Sequence, residues 1–210
     1  WYISTTGKCI DYFSDDEIDD IVFLPWGSEI PMTWEESLSA NYTDGIIIMH
    51  KGRIVYERYP AGLEADGVHA AMSVTKSFTG TVASILIADG LIDPVLPITH
   101  YLPELKGSGF DGSTVQEVLN MTTPLDYSED YTDPNAGIWK FSQAGNVFRP
   151  DSYTGPFDYY DYLPTIKAIS GQKPGAEFGY RTPNAEVIGW LVSRVTNQDL
   201  SDLVSELIWQ

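Results

Sequence analysis

Basic residues, cysteine and long apolar runs are scarce in this 210-residue sequence. It contains 12 Lys and Arg against 30 Asp and Glu, so its formal net charge at pH 7 is −18. An excess of negative charge of this size argues against nucleic acid or an anionic membrane surface as a binding partner. Cys9 is the single cysteine, which excludes a disulfide bond within the chain. No apolar run approaches the roughly 20 residues that a membrane-spanning helix needs.

Several motifs of metal and cofactor chemistry are also missing. The sequence has no Cys-x-x-Cys, P-loop, dinucleotide fingerprint or zincin motif, and its histidines (His50, His69, His100) lack metal-ligand spacing. We therefore expect neither a metal nor a cofactor. The acidic cluster Asp15–Asp20 lacks the glycine and the spacing of an EF-hand, so we expect a solvated turn there. No leader is recognisable after Trp1, which leaves the cellular compartment undetermined.

A Ser-x-x-Lys pattern stands at the start of a helix predicted over about 74–89. Residues three apart share one face of a helix, so Lys76 can point its amine at the hydroxyl of Ser73. A base beside a serine is what nucleophilic catalysis requires. The alternative is a helix-capping serine and a solvated lysine. The second copy, Ser170-Gly-Gln-Lys173, contains a glycine and is followed by Pro174, so we expect a loop without a catalytic role.

The other patterns predict one hairpin and several helices. β-Branched runs on either side of Lys51-Gly52 predict antiparallel strands over 45–59. Capping residues and apolar periodicity predict helices at 33–38, 114–121, 158–169, 184–196 and 200–209. Because an isolated hairpin is marginally stable, we expect further strands beyond Gln210 or in a second chain, and a homodimer would be one such arrangement.

Residues 122–157 differ from the rest of the chain, since they combine prolines and turn residues with many tyrosines. Long irregular segments in compact domains are often functional lids, and the aromatic residues favour an ordered covering loop over disorder. Glu129, Asp130 and Asp133 could act there as an acid/base pair. Their crowding into a proline-marked loop leads us to expect solvated carboxylates instead.

The order and spacing of five motifs resemble one enzyme family. The sequence is similar to the serine β-lactamase-related hydrolases, which include class C β-lactamases, penicillin-binding peptidases and related esterases. Within this family it looks most like the 6-aminohexanoate-dimer hydrolases, which cleave linear nylon oligomers. The matching stretches are Met72–Ser77, Gly90–Pro94, Tyr101–Leu105, Leu125–Pro134 and Phe178–Asn184.

The resemblance implies a role for three catalytic residues. Ser73 matches the nucleophile, Lys76 the neighbouring base, and Tyr180 the tyrosine that passes a proton to the leaving group. Lys76 could act as the base if burial or cationic neighbours lower its pKa. Alternatively, a charged Lys76 would favour the phenolate of Tyr180, which would then take the serine proton. The sequence leaves both alternatives open.

Two further residues are implied in substrate binding. Tyr131 matches a tyrosine that closes over the substrate in the nylon-oligomer enzymes and hydrogen-bonds its amide. Asn184, four residues after Tyr180, resembles their arrangement as well. Many relatives have asparagine where this chain has Thr182, which makes the role of Asn184 less direct.

The resemblance also implies a fold and an activity. We expect an α/β fold of the β-lactamase/transpeptidase type, with an antiparallel sheet flanked by helices and a mainly helical insertion. Its expected parts are 1–76 with the first strands, 77–175 with the covering loop, and 176–210 returning to the α/β part, with later strands and a third family motif beyond the sequence. The expected activity is cofactor-free cleavage of small amides or esters through an acyl-enzyme. β-Lactamase or D-Ala-D-Ala peptidase activity, and a non-catalytic binding or sensor module, are the alternatives.

Overall fold

The computed structural model describes residues 18–148 and 150–209, which divide between two compact units. The first unit ends at Ala71 and the second begins at Met72. Cys9 and the first half of the acidic cluster predicted to form a solvated turn, Asp15–Glu17, lie outside the described residues. The division into 1–76, 77–175 and 176–210 stays a prediction.

The first unit contains two small antiparallel sheets and one helix. Strand β1 pairs with β2 ahead of helix α1, and β3 pairs with β4 across a two-residue turn, as predicted. Lys51 and Gly52 form this turn with φ angles of 49° and 76°, and the left-handed conformation suits glycine at the second position. The bounds are β1 Val22–Phe23, β2 Met32–Thr33, α1 Trp34–Ala40, β3 Ile46–His50 and β4 Arg53–Arg58.

Asp19 is bonded to other side chains in the first unit. Its carboxylate accepts a hydrogen bond of 2.6 Å from the hydroxyl of Tyr56 and one of 3.0 Å from the guanidinium of Arg58. The carboxylate of Asp19 was expected to be solvated as part of a turn, and this expectation is wrong for Asp19. The reason lies in the hairpin, because both partners stand on β4, far from Asp19 in sequence.

In the described part of the second unit the regular secondary structure is helical, apart from isolated bridges at Pro97–Thr114 and Leu125–Ala168. Its core is continuous, and the side chains of Val82, Val187 and Leu191 are fully buried in it. The bounds are α2 Val74–Ala88, α3 Ile98–Tyr101, α4 Val115–Leu119, α5 Gly137–Ala144, α6 Tyr159–Tyr162, α7 Thr182–Thr196 and α8 Leu200–Leu207, with 3₁₀ turns at Pro103–Leu105 and Leu163–Thr165.

Two predictions in this unit are corrected. The helix predicted over 158–169 is only α6 and the 3₁₀ turn that follows it. Pro164 cannot donate a backbone hydrogen bond, and the chain beyond it bonds elsewhere: the carbonyl of Lys167 accepts from the backbone N–H of Asp126 at 2.8 Å. The segment 122–157 is not irregular throughout, because it contains α5.

Among residues 18–148 and 150–209, none of the helices combines the length and the apolar character needed to cross a membrane. Over the same residues, no cluster of three or more His, Cys, Asp and Glu side chains could hold a metal ion.

Candidate active site

Ser73 and Lys76 meet at the first turn of α2. Ser73 is the N-cap residue of this helix, but its hydroxyl makes no capping hydrogen bond. The amine of Lys76 instead donates a hydrogen bond of 3.1 Å to the Ser73 hydroxyl oxygen. Because Ser73 is exposed at the helix start, with Lys76 half-buried beside it, the hydroxyl is open to an incoming carbonyl group. The partial positive charge of the helix N-terminus favours negative charge that develops there.

Tyr180 joins this pair from a distant part of the chain. The Lys76 amine lies 5.6 Å from the centre of the Tyr180 ring, within the usual range of a cation–π contact. The tyrosine is 47% exposed. Within the described residues its hydroxyl makes no hydrogen bond to Ser73 or Lys76, so the ring face, not the phenol oxygen, meets the amine. The structure thus brings hydroxyl, amine and phenol side chains into one cluster.

The backbone around Tyr180 is held by the segment that begins at Met121. The N–H of Gly179 donates to the carbonyl of Met121 at 2.9 Å, and the guanidinium of Arg181 donates to the carbonyl of Thr123 at 3.2 Å. The residues on both sides of the tyrosine are therefore bonded to the same short stretch, which limits the movement of its Cα atom.

Asn184 is buried inside this arrangement. It is 1% exposed, its amide oxygen accepts a hydrogen bond of 2.7 Å from the hydroxyl of Thr123, and its amide nitrogen donates to the carbonyl of Arg181 at 3.2 Å. With Lys76 it lines a small cavity of about 50 Å³. The observed contacts of its amide are internal to the protein, and substrate binding by Asn184 stays a prediction.

Tyr131 lies in the loop before α5, where it is 63% exposed. Its ring packs edge-on against Trp139 with 5.8 Å between the ring centres. The indole N–H of Trp139 donates to the carbonyl of Asp133 at 3.0 Å, which fixes the partner ring. In the described chain Tyr131 has no hydrogen bond or ring contact with Ser73, Lys76 or Tyr180, and its binding role also stays a prediction.

For two carboxylates near these residues, the sequence did not predict the surroundings that the structure shows. Glu129 is not simply solvated, because it accepts a hydrogen bond from the backbone N–H of Thr182. Glu186 is half-buried on α7; burial raises the pKa of its carboxyl, and the charge of Lys76 opposes that shift. The signal that could have found Glu186 is a lone acid next to Val187, on the apolar side of a predicted amphipathic helix.

The helical core and the residues at the starts of α2 and α7 can now be compared with known proteins. Residues 36–210 match the beta-lactamase family, and the chain belongs to it. The chain is 38% identical over 176 residues to 6-aminohexanoate-dimer hydrolase of Paenarthrobacter ureafaciens, which is 83% of this chain and 44% of the relative. It is 26% identical over 182 residues to esterase EstB of Burkholderia gladioli, covering 78% of this chain and 43% of the relative.

A solved structure extends the comparison to the fold. A protein from Bacillus anthracis, provisionally identified as a 6-aminohexanoate-dimer hydrolase, matches with a TM-score of 0.80 and 28% identity over 95% of this chain. The predicted β-lactamase/transpeptidase-like fold is confirmed by this match. The chain spans about half the length of these relatives, 52% in the case of the solved structure.

Proposed function

We propose that the protein is a serine hydrolase that cleaves amide or ester bonds through an acyl-enzyme on Ser73. The observation that carries this proposal is the hydrogen bond of 3.1 Å between the Lys76 amine and the Ser73 hydroxyl. A serine whose hydroxyl already contacts a base is prepared for proton removal. A second support is that the Ser73 hydroxyl makes no capping hydrogen bond to the backbone of α2.

The chemistry follows from the three side chains. The Ser73 oxygen attacks the carbonyl carbon, its proton passes to a base, and the oxyanion forms beside the N-terminus of α2. Collapse of this intermediate expels an amine or an alcohol, and water then releases the acid from the ester on Ser73. Lys76 is the favoured first base because it is bonded to the hydroxyl, and it must be deprotonated to accept the proton. Tyr180, next to the amine, would give its phenol proton to the leaving group and recover a proton from the protonated Lys76.

The relatives favour small linear amides and short-chain esters as substrates. One relative is named for the 6-aminohexanoate dimer and another is named an esterase. Both bond types pass through the same tetrahedral intermediate, so one nucleophile serves for either. We therefore place 6-aminohexanoate oligomers and short-chain esters first. No cofactor is needed for this reaction sequence.

The test compares Ser73→Ala with a matched control on the intact protein. Ser170→Ala removes a serine from the second Ser-x-x-Lys copy, which the structure finds in a loop. Both variants and the wild type are treated with a fluorophosphonate probe and assayed on nitrophenyl esters, 6-aminohexanoate dimer and a chromogenic cephalosporin. We expect labelling and hydrolysis to be lost, by about a thousandfold or more, in Ser73→Ala alone.

Two outcomes would contradict the proposal. Wild-type protein that is folded but neither labelled nor active would favour a binding or sensor module on the same fold. Hydrolysis of the cephalosporin with no cleavage of the ester or the linear amide would leave Ser73 as the nucleophile but overturn the proposed substrate class.

A further inference from the structure

Glu129 supplies a hydrogen-bond acceptor to the start of α7. The carboxylate accepts from the backbone N–H of Thr182, the first residue of that helix, across 53 positions of sequence. The N-cap residue Arg181 provides no side-chain cap of its own. Pro183 has no N–H, and the N–H of Asn184 donates to the carbonyl of Arg181 at 3.1 Å. A carboxylate therefore satisfies a helix donor that nothing local serves.

This contact lies between two segments that carry candidate site residues. Thr182 is two residues after Tyr180, and Glu129 is two residues before Tyr131. The carboxylate thus joins the loop that contains Tyr131 to the chain that presents Tyr180. Both ends of the contact are half-buried, which limits competition from water.

The position of Tyr180 depends on its backbone. Its side chain is almost half exposed and its hydroxyl is not bonded to the other two candidate groups. On one side the N–H of Gly179 is bonded to the carbonyl of Met121, and on the other the N–H of Thr182 is bonded to Glu129. Of these two hydrogen bonds, only the one from Thr182 has a side chain as its acceptor, so only that acceptor can be removed by mutation.

We propose that Glu129 is a positioning residue, which fixes the start of α7 and thereby holds the phenol of Tyr180 beside Lys76. This inference rests on the proposed hydrolase function. Glu129 does not itself meet the substrate. Its effect on turnover passes through Tyr180, since a displacement of about 1 Å in a reacting group can lower the rate by as much as a hundredfold.

The test measures how the effect of Glu129 depends on Tyr180. Glu129→Ala should lower kcat by about 10- to 100-fold, while KM changes little and fluorophosphonate still labels Ser73. Glu129→Gln keeps a carbonyl oxygen as acceptor and should restore most of the activity. Asp126→Ala is the matched control, because Asp126 is exposed on the same loop and its side chain has no hydrogen bond in the described chain.

A double-mutant cycle separates positioning from a general structural role. In a Tyr180→Phe background, Glu129→Ala should cause no further loss of kcat. The inference would be overturned if the kcat losses of the two single variants multiplied in the double variant, or if Glu129→Ala kept wild-type kcat. If Glu129→Ala does not fold, Glu129→Asp, one methylene shorter, takes its place in the same cycle. Absence of labelling and activity in the wild type would instead refute the proposed function.

Discussion

Replacing Asn184 with alanine distinguishes a structural amide from a substrate-binding one. The side chain is buried and both of its polar atoms are bonded within the protein, to the hydroxyl of Thr123 and to the carbonyl of Arg181. Thr123 is itself fully buried, with 0% exposure. Removal of the amide therefore leaves the buried hydroxyl of Thr123 without its acceptor, whereas the carbonyl of Arg181 still accepts the backbone N–H of residue 184. We expect the main effect to be on the free energy of unfolding.

The size of the effect follows from these contacts. A hydrogen bond contributes about 0.5–1.5 kcal/mol, and a buried polar group left without a partner costs about 1–3 kcal/mol. With the two hydrogen bonds of Asn184 and the stranded Thr123 hydroxyl, Asn184→Ala should lower the free energy of unfolding by roughly 2–4 kcal/mol. For a protein of this size, such a loss corresponds to a fall in Tm of roughly 4–16 °C.

The assay is urea and thermal unfolding followed by circular dichroism, with Thr123→Val as the partner variant. Valine has nearly the shape of threonine without the hydroxyl, so Thr123→Val removes the other end of the same bond. The double variant should be less destabilised than the sum of the single variants by about 1–2 kcal/mol. An Asn184→Ala protein with unchanged Tm and a raised KM would refute the structural interpretation and support substrate binding.

Two further predictions concern pH. Asp44 raises the pKa of His69 through a hydrogen bond of 2.9 Å; the ion pair therefore stabilises the fold below the unfolded pKa of histidine and is lost as pH rises through the folded pKa. Asp44→Asn should lower the pKa of His69 in an NMR titration, and an unchanged value would contradict this. Burial raises the pKa of Glu186, so stability falls as pH rises through that pKa. Glu186→Gln should be stabilising in urea at neutral pH and less so near pH 4, whereas an equal effect at both would exclude a buried charge as the cause.

Local signals in the sequence predicted local structure well. The capping boxes at Thr33 with Glu36 and at Thr114 with Glu117 both form, with the side chain and backbone bonds that the pattern implies. Such bonds need only residues three apart, which is why they can be read without knowledge of the fold. The same holds for α2, whose apolar run and helix stop are contiguous in sequence.

The missed features depend on contacts distant in sequence. A helix was predicted through Pro164, but the carbonyls of Ile166 and Lys167 beyond it accept hydrogen bonds from distant segments. The carboxylate of Glu129, expected to be solvated, is bonded to the N–H of Thr182. No pattern near Glu129 marks it out from Asp130 or Asp133, because its partner lies in a different motif. The resemblance to the family pointed to Tyr180, but not to the residues that hold its backbone.

The candidate residues fall into two groups according to what holds them. Ser73 and Lys76 begin α2, Tyr180 precedes α7, and both helices are anchored by buried side chains of one core. The helices approach closely where a Cβ added at Gly189 would lie 3.9 Å from the side chain of Thr79.

Tyr131, in contrast, is exposed on a loop. We therefore expect core substitutions to disturb the three candidate catalytic residues together. Loop substitutions should alter substrate choice alone, provided that Glu129 is retained. Since loops vary more readily than cores, a change in the loop that carries Tyr131 would alter substrate preference without moving Ser73, Lys76 and Tyr180.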